Sequence, residues 1–308
     1  MNEIISRENI QKGEIKMGGG RWTRNTFDAY SARLGRAVDA TGNVRGNYSA
    51  QEMFKSRGLA NELNPYRTIR ECRDSSEHPN TIPVILALDV TGSMGATAVE
   101  VAKKLNVVMT KLYDSVRDVE FMTMGIGDLS YDRAPLQVSQ FESDIRIAEQ
   151  LDKLYFEGGG GGNGFESYTL AWYYALLHTS LDCHKRGRKG LIITMGDEPL
   201  NPYLPRRELV NAVGDNVQGD IETRLLYYET EKRFDIHHLS VRTATCDHYG
   251  GAVKNSWQRY LDDEHYKVVG LDGISGEIVS IVENFAKRQG NFTDEVSAER
   301  SKRKGFLW

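Results

Sequence analysis

The chain has 308 residues, 40% of them apolar and 27% charged, with a formal net charge of −4. That length is enough to bury a core in one large domain or two small ones, and the composition excludes a disordered chain. No run of eighteen apolar residues offers a membrane span, the charge argues against a protein built to hold nucleic acid, and three cysteines are too few for a disulfide framework.

The opening residues, MNEIISRENIQKGEIKMGGG, are polar and carry no apolar stretch suited to a secretory signal, so a reducing, cytoplasmic setting is expected. Residues 1–80 hold 13 Lys/Arg against 10 Asp/Glu, and residues 288–308 hold 5 against 3, which leaves the acidic excess in the middle. GGGRW, DATGNVRGN and ELNPY punctuate the first eighty residues with turns, and two short helical patterns lie over 26–38 and 49–59. Trp22, Phe27, Tyr30 and Phe54 are many aromatics for a loose leader, so 1–80 reads as an arm packing on the main domain.

Strands and helices then alternate. Residues 82–88 form an apolar run of strand length, of the kind buried on both faces, ending before Asp89. After TGSMG, Val101, Leu105, Val108 and Leu112 recur at helical spacing. Further strands are expected over 119–125, 136–141 (an edge), 190–194, 234–241 and 266–269. Helices are expected over 167–180, with Trp172, Tyr173 and Tyr174 as core, and over 205–213, 252–261 and 275–285. This alternation predicts one α/β domain over 81–287, a Rossmann-like, doubly wound, mostly parallel sheet with helices on both faces, followed by a basic tail over 288–308 that ends in Phe306, Leu307 and Trp308.

In such sheets function gathers where the strands end at their carboxyl edge. After the first strand stand Asp89, Thr91 and Ser93; before the helix near 167 stand five glycines, Asn163 and Glu166; after the strand at 190–194 stands Asp197. These donors are all oxygen, which suits a hard dication: Mg²⁺, or Mn²⁺ or Ca²⁺. Asp128, Asp132 and Arg133 follow the second strand onto the same rim and are candidates for contacting a partner. A phosphate cradle at the glycine run is disfavoured, because its near neighbours Glu157 and Glu166 are acidic. Zinc is not expected: Cys183 and His184 are adjacent, no CxxC occurs, and His237 and His238 fall on opposite faces of a strand.

DVTGSM resembles the DxSxS motif of the von Willebrand factor A (VWA) domain, with Thr91 in place of the first serine. The resemblance covers about 81–287 and implies a metal-ion-dependent adhesion site (MIDAS). Carried over, Asp89, Thr91 and Ser93 form its first loop, GGNGFES supplies Glu166 with Asn163 as helper, and TMGDE supplies Asp197, two residues later than the usual TDG. The wording is most similar to VWA proteins of bacteria and their phages. It implies a metal-dependent interaction module rather than an enzyme, in which a partner's Asp or Glu completes the metal shell. A MoxR-type AAA+ ATPase is a partner that the family implies; no GxxxxGK[ST] occurs here, so any ATPase is a separate chain. Two alternatives stand beside it. A haloacid-dehalogenase-like phosphotransferase would use Asp89 as nucleophile but needs a second Asp where Thr91 stands, and an RNA-binding VWA protein would need a basic patch.

Overall fold

The computed structural model describes residues 20–156 and 164–291. Its centre is a six-stranded sheet made of β1 (Ile82–Asp89), β2 (Val119–Ile126), β3 (Leu136–Val138), β4 (Gly190–Gly196), β5 (Phe234–Val241) and β6 (Tyr266–Val269). The strand order is β6-β5-β4-β1-β2-β3, parallel throughout except for β3, which lies antiparallel on β2 at one edge. Helices cover both faces, so the chain has a Rossmann-like α/β fold.

The alternation along β1 shows why. Val84, Leu86 and Leu88 enter one apolar cluster, and Ile85 and Ala87 enter the other. A strand that must be apolar on both sides belongs at the middle of a parallel sheet. The first cluster is completed by α2 (Gly95–Ser115) and α8 (Ile274–Gln289), the second by α4 (Thr169–Leu177) and Trp257 of α7 (Ala244–Trp257). Trp172, Tyr173 and Tyr174 are all fully buried.

The described part of the arm packs on the first face. Trp22, Phe27 and Tyr30, the last two from α1 (Arg24–Arg33), join the cluster of α2, and Trp22 Nε1 donates to Asn106 Oδ1 at 3.0 Å. Arg36 pairs with Asp152 at 2.8 Å in a nearly buried ion pair, and the Phe54 and Phe156 rings stack at 4.6 Å. Residues Arg70–Cys72 pair in parallel with Thr179–Leu181 in a small second sheet.

Several expected bounds move. The pattern at 49–59 yields only the short helix Ala50–Met53, fixed by a capping box between Ser49 and Glu52. The helix expected over 252–261 is α7, which runs straight through Gly250 and Gly251, with Thr243 capping its start and Trp257 anchoring its end. Tertiary burial overrides the glycine pair's poor helix propensity. The third strand stops at Val138, short of 141. The last helix, α8, runs past the expected 285 through Gln289 and closes on Gly290, whose φ of 75° suits a left-handed cap. Three helices had no expectation: α3 (Arg146–Leu151), α6 (Thr223–Thr230) and the short Asp182–Lys185. The helix expected over 205–213 is α5 (Arg206–Val213), with Pro205 at its N-cap.

Candidate functional site

β1 delivers Asp89 to the carboxyl edge of the sheet, and the chain then turns through Gly92–Met94 into α2. The Thr91 amide and hydroxyl both donate to Asp89 Oδ1, at 2.9 and 2.6 Å, which ties the first loop back onto its own strand end. Tyr168 donates its hydroxyl to Asp89 Oδ2 at 2.8 Å. Asp89 is fully buried, whereas Ser93 is exposed at the mouth of the loop.

β4 is longer than its sequence suggests. It runs through Gly196, and because Leu88 pairs with Met195, Asp197 emerges beside the end of β1. The two-residue delay after the expected strand is therefore extra strand, and Asp197 is the first residue past it. Ser93 Oγ donates to Asp197 Oδ1 at 3.1 Å, and Thr243 Oγ1 donates to Asp197 Oδ2 at 2.5 Å.

Glu166 enters from the third side. Its backbone bridges to Leu200, the residue is 4% exposed, and Oε2 has no hydrogen-bond partner. The loop after β2 folds beneath it: Leu129 N donates to Ser167 Oγ at 2.9 Å, and Asp128 N donates to Asp132 Oδ2 at 2.7 Å. Asp128 itself is buried, with one carboxylate oxygen unpartnered and its charge adding to that around Glu166, which corrects the expectation of a surface contact. Ser130, Tyr131 and Arg133 are the exposed members of that loop, and Asp132 is half-buried. Thr169, at the start of α4, is engaged with Asn201, whose Nδ2 donates to its hydroxyl at 2.6 Å. Asn163 and the glycine run 158–162 lie outside the described residues.

The electrostatics follow from burial of like charges. Desolvation raises the Asp89 carboxyl well above its ordinary range and Asp197 adds to this, while the donors Thr91 and Tyr168 pull it back. Glu166 is raised further, by burial first and then by Asp89, Asp132, Asp128 and Glu198. Among the described residues, the groups that hydrogen-bond Asp89 and Asp197 are neutral hydroxyls and an amide. Near neutral pH such a cluster must hold protons or accept a cation. An orphaned carboxylate oxygen and a donor set made of carboxylates and hydroxyls fit a hard dication. The carboxylates do not meet as a ready ligand triad, since the described groups of three ionisable ligands within 4.8 Å of one another comprise only Asp235, His237 and His265. Hydroxyls carry the connection here: Thr91 to Asp89, and Ser93 to Asp197.

Two residues of the site escape the sequence reading. Tyr168 looks like the start of a core helix, and Thr243 looks like a helix cap, which it also is, accepting from Cys246 N at 3.2 Å. The signal for Thr243 is its place just past the end of β5, on the carboxyl edge that Asp89 and Asp197 share.

No protein-family model matches the sequence, and no curated protein matches it. Among solved structures, the pilus adhesin SpaC of Lactobacillus rhamnosus GG in its open conformation is similar at 13% identity and a TM-score of 0.48, covering 72% of this chain and 31% of the adhesin. A second structure of SpaC gives 14% identity and a TM-score of 0.47, covering 72% of this chain and 32% of the adhesin. The chain therefore spans about a third of the length of those structures. Among the described residues, no helix is long and apolar enough to cross a membrane.

Proposed function

We propose that the chain is a VWA-like interaction module whose MIDAS-like site binds Mg²⁺ or Mn²⁺ through Asp89, Thr91, Ser93, Glu166 and Asp197. The observation that carries this reading is the burial of Asp89, Glu166 and Asp197 on three different loops at the carboxyl edge of the sheet, with Asp89 raised by Asp197 and Glu166 raised by Asp89. Bound there, the dication supplies an electrophilic centre able to take an outside carboxylate. The chain's own residues prepare for it. Thr91 and Tyr168 hold Asp89 in place, Thr243 and Ser93 hold Asp197, and burial excludes water from behind the site.

The partner in this reading is a protein that contributes an Asp or Glu. Exposed Tyr131, at 60%, and Phe165, at 37%, stand on the loops beside the site and offer it aromatic contact area. The role is binding rather than catalysis. Thr91 donates to Asp89 at the position where a phosphotransferase of the haloacid-dehalogenase type needs a second acid. Three free, buried cysteines fit a reducing cytoplasm, and an AAA+ ATPase of the MoxR type is the partner class the VWA reading suggests first. Calorimetric titration with Mg²⁺ and Mn²⁺ tests the proposal: one site in the wild type, lost in Asp89→Ala and Ser93→Ala with unchanged circular dichroism, is expected. Equal binding by all three proteins contradicts it.

A further inference from the structure

A second cluster lies at the other end of the sheet, where β5 begins. Asp235 and His237 stand two residues apart on this strand and so share a face. His265 comes beside them on the turn before β6, its carbonyl accepting from His238 N at 2.8 Å. The ligand atoms of all three lie within 4.8 Å of one another. His265 Nε2 is 3.1 Å from Asp235 Oδ1, and His237 Nε2 is 3.6 Å from Asp235 Oδ2. Tetrahedral zinc with bonds of about 2.0–2.2 Å sets its ligand atoms roughly 3.3 Å apart, between those two spacings.

Two further observations point to a ligand. His237 is 3% exposed, yet neither of its ring nitrogens makes a hydrogen bond, although buried polar groups are normally satisfied. His265 is held the way a metal-binding imidazole is held: Nδ1 lies 2.6 Å from Asp262 Oδ1, which leaves Nε2 turned to the cluster. One charge competes. Arg288 of α8 donates to Asp235 Oδ2 at 2.5 Å, but its side chain is half exposed and Oδ1 is not part of that contact.

We propose that Asp235, His237 and His265 form a second metal site, for a zinc-class dication bound by two imidazoles and one carboxylate. Mixed nitrogen and oxygen ligands select Zn²⁺ over the Mg²⁺ suited to the all-oxygen cluster at the other edge. The ion ties β5 to the turn that precedes edge strand β6, and three protein ligands leave a fourth position for water or an outside group.

The test uses the full chain, stripped with chelator and titrated with Zn²⁺ against a chromogenic zinc indicator, with Co²⁺ absorption as an independent report of tetrahedral coordination. A single Zn²⁺ is expected, with affinity unchanged in Asp89→Ala. His237→Gln and the partly exposed His265→Ala should each weaken it by at least about 100-fold, and Asp262→Asn by about 10–100-fold through loss of imidazole orientation. His265→Ala keeps the test open if His237→Gln fails to fold. Absence of Zn²⁺ binding overturns the site and makes the cluster an ion-pair network only. So does binding that survives both histidine substitutions. Neither result touches the Mg²⁺ reading, which depends on Asp89 and Ser93.

Discussion

The Tyr168 hydroxyl donates to Asp89 Oδ2 at 2.8 Å and accepts the Glu198 amide at 3.3 Å, so one phenol joins the loops that follow β1 and β4. Tyr168→Phe removes the donor and leaves a buried carboxylate oxygen without one. It should cost about 1–3 kcal/mol of stability in chelator and weaken Mg²⁺ several-fold. Urea unfolding and calorimetry on the same preparation check both; an unchanged midpoint would mean that the phenol is idle.

Gly196 makes that phenol's position possible. A Cβ at this residue would overlap the Tyr168 hydroxyl and ring edge. Gly196→Ala should therefore cost about 1–3 kcal/mol by overpacking. The cost should shrink in a Tyr168→Phe background, where the nearest atom is gone, and a double-mutant cycle measures that coupling. Strict additivity would place the strain elsewhere.

The ion-free site should impose a pH dependence. Asp89 is raised from 3.8 to about 7, and Glu166 is raised from 4.5 to about 10, so the native state keeps protons that the unfolded chain releases. Their contribution is most favourable below about pH 4, declines as pH rises toward 7 through Asp89, and declines further above that through Glu166. Thermal unfolding in chelator follows the decline. Saturating Mg²⁺ should raise the midpoint more at pH 8 than at pH 5, because protons no longer compete for the carboxylates.

The arm should unfold with the sheet. Trp22 is buried, and its ring nitrogen is bonded to Asn106 of α2. Trp22→Ala should cost about 3–5 kcal/mol while keeping a single transition. A separate early transition in the wild type would show that the arm is an independent unit.

The central strands are legible because β1, β2 and β4 are apolar on both faces, and such runs have few other homes. The place of Asp89, Thr91 and Ser93 at the sheet edge is legible because the apolar run of β1 ends there, whereas that of Asp197 is less so, since β4 runs two residues past its expected end. Tyr168 and Gly196 are not, since their relation is a packing fit between residues from two loops. Asp128 is misread because a polar loop looks exposed until the fold turns one carboxylate inward. The cluster of Asp235, His237 and His265 stays hidden because strand pairing, not spacing, brings His265 to β5. α7 is misplaced because two glycines outweigh, in sequence, an anchor that only tertiary packing supplies.

The most direct measurement is thermal unfolding of chelator-treated wild type and Asp89→Asn, each with and without Mg²⁺. Asn keeps an oxygen for the Thr91 amide and removes one of the crowded negative charges. The account predicts that Asp89→Asn melts at or above the wild type in chelator and gains nothing from Mg²⁺, whereas the wild type gains several degrees. A wild type indifferent to Mg²⁺, or an Asp89→Asn variant stabilised as much as the wild type, would contradict it.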